Sequence, residues 1–172
     1  MKALLVQSPA TSPWVPRRQW EPPSIALATI AAQIDNHDVR VVDMVVWRKK
    51  AVQNYMNVLQ AFKPDVVGFT AMTFQYDTAL RFAALTKKWN PKIITALGGY
   101  HGTLFYDQIA ESAETEYWDL IFRGEGDFSF GEALDCLETN TDGLKNVTGL
   151  SYKVSGKFIH NQIGRASCRE RV

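Results

Sequence analysis

Short apolar runs alternate along this chain with stretches whose apolar residues return every three or four positions, and that alternation restricts the fold more than any other feature. Ala3-Leu4-Leu5-Val6 is a continuous apolar run of the kind buried on both faces of a parallel sheet. Leu27, Ile30, Ala31 and Ile34 then recur at helical spacing until Asn36-His37 interrupts them, and Val39 to Val42, closing on Asp43, is a second strand. Val52, Tyr55, Met56, Leu59 and Phe62 restore the helical stripe. Lys63-Pro64 stops it, because a residue before proline is pushed out of helical backbone angles. Asp65 to Thr70 is a third strand, Ala79, Leu80, Ala83 and Ala84 carry a helix to Asn90-Pro91, and Ile93 to Leu97 is a fourth strand. A helix from about Phe105 to Glu114, a fifth strand at Leu120-Ile121-Phe122 and a helix marked by Phe130, Ala133, Leu134 and Leu137 complete the alternation. Ser129 and Glu132 give that last helix a capping-box pattern. Gly149 to Val154 and Lys157 to Ile159 flank Ser155-Gly156 and predict a hairpin.

Parallel strands can be joined only by crossovers, so this pattern predicts an open doubly wound α/β domain, Rossmann-like or flavodoxin-like, with a five-stranded parallel sheet and a C-terminal β-hairpin. The expected strand order is 2-1-3-4-5. With 172 residues, 46% hydrophobic and 22% charged, the chain can bury an ordinary core, and disordered or collagen-like classes are excluded. The formal charge of +1 offers no broad basic surface, so neither nucleic acid nor membrane is expected as a partner. Cys136 and Cys168 lack metal-ligand spacing, the opening MKALLVQSPA lacks a signal-peptide core, and a cytoplasmic location is expected.

Ile163 to Val172, IGRASCRERV, breaks the texture of the chain and matches the one-frame translation of a common sequencing-library adapter, so it is read as a non-native tail. Without it the formal charge is −1 and Cys136 is the remaining cysteine. The expected organisation is a cofactor domain over 1–145, the hairpin over 146–162 leading to a missing downstream domain, and the tail over 163–172.

In an open α/β sheet, ligands bind beyond the carboxyl ends of the strands. Strand one is followed there by Ser8-Pro9 and a proline-rich loop to Pro23, and strand three by Thr70-Ala71-Met72-Thr73. Strand four is followed by Gly98-Gly99-Tyr100-His101, and strand five by Arg123-Gly124-Glu125-Gly126-Asp127. Paired glycines admit a ligand close to the backbone or make a tight turn, and threonine hydroxyls serve a phosphate or cap a turn. Gly124-Glu125-Gly126 is a sharp turn that aims its acid into the crevice or leaves it solvated. No phosphate-binding P-loop, GxGxxG or catalytic triad is present.

These loops, in this order, resemble the N-terminal cobalamin-binding domain of cobalamin-dependent radical SAM proteins. The resemblance runs from Met1 to about Asn161 through Leu4-Leu5-Val6, Ile25-Ala26-Leu27-Ala28, His37-Asp38-Val39, Pro64-Asp65-Val66-Val67-Gly68, Gly98-Gly99-Tyr100-His101, Asp119 to Gly126, and Gly149-Leu150-Ser151-Tyr152. It implies cobalamin as cofactor, with its nucleotide tail beside the sheet near Thr70, Met72, Thr73, Gly98 and Gly99. It also implies Ser8, Pro9, Ala71, Tyr100, His101, Gly124, Glu125 and Gly126 in the crevice or on its rim, and Phe74 and Tyr76 packed on the corrin. The wider superfamily carries a DxHxxG motif whose histidine binds cobalt, but no histidine lies between Ser8 and Ser24, which implies base-off binding without that ligand. Asp127 stands where the family more often has Glu.

The family's iron–sulfur cluster needs a CxxxCxxC triplet that this chain lacks. The resemblance therefore implies that cluster and S-adenosylmethionine in a downstream radical SAM domain of the same chain, with methyl transfer or related radical chemistry there and no catalytic residue here. A Rossmann-like docking domain that has lost cobalamin is the alternative. A flavodoxin-like receiver is disfavoured because no acidic cluster follows strand one.

Overall fold

The computed structural model describes residues 1–10 and 24–163. The proline-rich loop over 11–23 and the tail over 164–172 lie outside the described residues. Five parallel strands, β1 (Lys2–Gln7), β2 (Asp38–Asp43), β3 (Val66–Thr70), β4 (Ile94–Gly98) and β5 (Leu120–Phe122), stand in the order β2-β1-β3-β4-β5. This is the flavodoxin-like order expected in preference to a six-stranded dinucleotide fold. The hairpin, β6 (Leu150–Val154) and β7 (Lys157–His160), is not a separate appendage: β6 pairs antiparallel with β5, so the sheet is mixed and has seven strands. The reason is the free edge of three-residue β5, whose unpaired backbone groups β6 satisfies. Ser155 (φ 51°) and Gly156 (φ 81°) turn the hairpin with the two left-handed residues that match strand twist.

Helices cover both faces. On one face α2 (Ala51–Phe62), α3 (Tyr76–Trp89) and α4 (Gly99–Glu111) bury Tyr55, Leu59, Phe82, Ala83 and Ile109 against Leu4, Val6, Val67, Phe69 and Leu97. On the other, α1 (Ile25–Ala32) and α5 (Ser129–Thr139) bury Leu27, Phe130 and Leu134 against Ala3, Leu5, Val66 and Ala96. Ser24 caps α1 by accepting from the Leu27 amide, and Lys63 ends α2 in the left-handed region (φ 51°) just before Pro64. No helix among the described residues is long and apolar enough to cross a membrane.

Two helix starts differ from expectation. Ser129 is the first residue of α5 rather than its cap, because the chain already coils upstream and the Phe130 amide donates to the Gly126 carbonyl at 3.2 Å. Helix α4 begins at Gly99, six residues before Phe105, and departs from helical angles at Phe105 (φ −117°, ψ 16°). Its first turn, Gly-Tyr-His-Gly, is poor in helix formers and is held by tertiary contact, the His101 amide donating to the Ala71 carbonyl at 3.0 Å.

At the opposite edge from the ligand loops, the Asp119 carboxylate pairs with Lys87 and accepts from the Thr95 amide (2.8 Å) and hydroxyl (3.1 Å), joining the starts of β4 and β5 to α3. Asp119→Ala leaves the Thr95 amide without its acceptor and Lys87 without its counter-charge, while Lys87 keeps the Ile93 carbonyl and the Thr95 hydroxyl keeps the Tyr117 carbonyl. The substitution is expected to lower unfolding free energy by about 1–3 kcal/mol, read from urea denaturation.

Candidate functional site

The site is made by what β3 and β4 leave out. On the face under α1 and α5, the last two cross-strand pairs of these neighbours are Gly68 with Ala96 and Thr70 with Gly98. None of the four carries a bulky side chain, so the sheet has a shallow floor there. Leu5 and Phe122 flank it, Leu27 and Ile30 of α1 roof it, and Gly124 to Asp127 with Phe130 close its end. The enclosed cavity is about 230 Å³ and its walls are mainly apolar.

Two glycines have different jobs here. Gly99 has φ +86°, and a Cβ on it would meet the Ala71 carbonyl oxygen and Thr70 Oγ1 at 2.9 Å, so only glycine fits where the loops after β3 and β4 clasp each other. Gly98 has ordinary extended backbone, and a Cβ on it would find nothing nearer than the Phe69 carbonyl oxygen at 3.9 Å. Its missing side chain leaves room in the cavity, not in the backbone. The loop after β5 is tied to the same corner by Thr103, whose hydroxyl donates to the Gly99 carbonyl (3.0 Å) and accepts from the Gly124 amide (2.9 Å).

Beyond the cavity, the strand ends carry exposed apolar side chains: Met72 and Phe74 after β3, and Tyr100 and Leu104, one turn apart on α4. Such a group at a ligand edge is a surface for a large flat partner. Among the described residues no group of three or more His, Cys, Asp or Glu side chains could hold a metal ion.

Of the residues singled out from sequence, Thr70, Gly98, Gly99, Gly124, Glu125 and Gly126 line the cavity. Ala71 lies behind it as the partner of Gly98 and His101 backbone atoms, while Met72, exposed Thr73 and Tyr100 stand outside it. Ser8 is fully buried after β1 and Pro9 lines a different cavity. Tyr76 and His101 are packed on the far side of the sheet. Their rings stack at 3.9 Å between centroids, Phe105 stacks on His101 at 4.6 Å, and the Tyr76 hydroxyl donates to Glu114 at 2.6 Å while accepting from Trp118 at 3.3 Å. Burial, with Glu114 beside it, pushes the Tyr76 phenol far above its usual range, and burial holds His101 below its usual value against the pull of Glu114 and Asp77. Neither side chain is free to lie against a ligand in the cavity.

Sequence reading missed the floor and the tie. Gly68 and Ala96 are visible only once strand register sets them side by side, and Thr103 was hidden by placing the start of α4 too late.

Fold and cavity together define an α/β domain with an apolar cavity at the carboxyl ends of its parallel strands, where open sheets of this kind bind ligands. The family model described as a B12 binding domain matches residues 17–134, and the chain belongs to that family. It is 32% identical over 158 residues to an uncharacterized methyltransferase, PH0819, from Pyrococcus horikoshii, covering 91% of this chain and 34% of that one. It is also 44% identical over 69 residues to the anaerobic magnesium-protoporphyrin IX monomethyl ester cyclase of Rubrivivax gelatinosus, covering 40% of this chain and 12% of the cyclase. The chain thus spans about a third or less of these relatives' length. Among solved structures, the cobalamin-dependent S-adenosylmethionine radical enzyme OxsB with aqua-cobalamin bound superposes with a TM-score of 0.73 at 21% identity, covering 95% of this chain and 22% of OxsB. The radical S-adenosylmethionine methyltransferase TsrM from Kitasatospora setae, with cobalamin and a [4Fe-4S] cluster bound, gives 0.69 at 13% identity, covering 94% and 30%.

The buried imidazole has a consequence for stability. Its folded pKa lies below the ordinary 6.5, so as pH falls the unfolded chain takes up a proton before the folded one does. This contribution is full above about pH 6.5 and declines below it. His101→Phe keeps the ring stack and is expected to flatten the fall in urea midpoint between about pH 7 and about pH 5, leaving the slope due to His160, which burial and Arg123 also hold low.

Proposed function

We propose that this chain is a cobalamin-binding module whose cavity takes the cofactor's nucleotide base. The observation that carries the reading is the cavity over the Gly68, Ala96, Thr70 and Gly98 floor, at the carboxyl strand ends where open α/β sheets bind ligands. Apolar walls from Leu27, Ile30, Phe122 and Phe130 suit a bicyclic aromatic base, and the Thr70 hydroxyl and the loop amides near Gly124 suit the polar linker. Met72, Phe74, Tyr100 and Leu104 offer the corrin an apolar seat. Ser8, Pro9, Tyr76 and His101 act behind this surface, as packing. Bound there, the corrin supplies a cobalt centre able to carry a methyl group; the chain's own residues hold it, shield its tail from water and fix its height above the sheet.

The binding mode is base-off. A base in the cavity is withdrawn from cobalt, and the loop between Ser8 and Ser24 contains no histidine to replace it. Matches to longer proteins support a further reading: the module serves a radical SAM enzyme whose iron–sulfur cluster and S-adenosylmethionine lie in another domain of the same chain, with methyl transfer as the reaction class.

The test is to add hydroxocobalamin to the 172-residue chain, desalt it and record the visible spectrum. Retained colour is expected; a colourless protein overturns the reading and leaves a docking domain without cofactor. Gly98→Val places a branched side chain in the cavity on a backbone that accepts it, and is expected to weaken retention at least about tenfold while the urea midpoint holds, since the first added atom meets only ordinary contacts. Electron paramagnetic resonance of the reduced, loaded protein is expected to show no nitrogen coupling from an axial imidazole.

A further inference from the structure

On the opposite face of the sheet from the base cavity, a second cavity of about 360 Å³ opens between α2 and α3, closed on one side by Pro9 and Ala10. Among the described residues its wall carries four cationic side chains, Arg48, Lys49, Lys50 and Arg81, and no acidic one. The whole chain has a formal charge of only +1, so this concentration is local. A concavity lined by basic side chains carries a positive potential that favours a negative ligand.

Two further features point the same way. The first turn of the 12-residue helix α2, Ala51 to Gln53, forms part of the wall, and that helix has neither a side-chain cap nor an acidic residue in its first turn. Its amino end is therefore open to a negative group. Independently, Thr78 of α3 lines the cavity while only 6% exposed, and its buried Oγ1 has no hydrogen-bond partner among the described residues. A buried hydroxyl without a partner is costly, and a ligand oxygen in the cavity would satisfy it.

We propose that this cavity binds the phosphate group of an anionic ligand, a phosphomonoester or a diphosphate, at a site separate from the cobalamin crevice. Arg81 supplies a planar donor suited to phosphate oxygens, the Thr78 hydroxyl donates to one oxygen, and the start of α2 faces another. Val46 and Trp47, both exposed just before Arg48, extend the basic site with apolar surface, so the phosphate belongs either to a soluble molecule or to a lipid headgroup.

The test titrates inorganic pyrophosphate into the 172-residue chain by calorimetry, with pyrophosphate-free buffer as the blank. Saturable binding at one site is expected, weakening as salt rises. Arg81→Ala and Thr78→Val are each expected to weaken it about tenfold, the loss of one hydrogen bond to a charged group. Lys157→Ala, on the exposed hairpin turn, is expected to leave it unchanged. If Thr78 is merely structural, Thr78→Val shifts the urea midpoint without moving pyrophosphate affinity, and that result overturns its assignment as a ligand group. Absent saturable binding, or equal affinity in all variants, means an adventitious ion only and overturns the site. Sedimentation with phosphatidylglycerol vesicles, phosphatidylcholine serving as control, separates the sources. Co-sedimentation lost in Arg81→Ala and Trp47→Ala assigns a headgroup, and pyrophosphate binding without co-sedimentation assigns a soluble phosphate. Hydroxocobalamin retention, followed by colour in the same variants, is expected to stay unchanged, so failure at one site is read apart from failure at the other.

Discussion

A parallel strand pair can be closed only by a connection that crosses back over the sheet, and everything functional in this domain depends on that constraint. Each crossover here leaves from the carboxyl end of a strand, so the loops after β1, β3, β4 and β5 are gathered along one edge. The opposite edge is free for structural bonding, and it is there that Asp119 joins α3 to the starts of two strands. The division of labour between edges follows from topology before any side chain is chosen.

Side chains then decide what the shared edge can hold. A core normally closes to crystal-like density, and a void of a few methylene groups is destabilising. This sheet keeps such a void by placing glycine, alanine and threonine on adjacent pairs of β3 and β4, while Leu5 and Phe130 lean over Gly68, where a Cβ would meet them at 3.0 and 3.2 Å. The void is therefore floored by these strands and roofed by Leu27 and Ile30 of α1. A ligand that fills it at a hundredfold excess over its dissociation constant returns about 2.7 kcal/mol to the fold, so cofactor occupancy and stability are linked.

The strands and the glycine positions at the ligand edge were legible in the sequence because they rest on local periodicity and on one rule about crossovers; the strand order was a choice between two doubly wound arrangements that periodicity does not decide. The start of α4 was not legible, since Gly99 to Gly102 become helical only through the bond from the His101 amide to Ala71, a contact between segments. Helix periodicity places Tyr100 and Leu104 on one side and His101 and Phe105 on another, but with the helix begun at about Phe105, Tyr100 and His101 were read as loop residues. Tyr76 was misplaced for a related reason. An aromatic after a strand reads as a ligand platform until Glu114 and Trp118, distant in sequence, are seen to engage its hydroxyl. The capping-box pattern at Ser129 failed because upstream coiling moved the helix start past its signal.

The hairpin settles one more matter by parity. β6 runs against β5 and β7 runs against β6, so two reversals restore the original heading, and the polypeptide leaves β7 at the edge where the ligand loops lie. Accordingly the Asn161 carbonyl accepts from Arg123, the residue just past the carboxyl end of β5. A single extra strand would have sent the exit to the far edge. An even number hands the chain onward at the doorway.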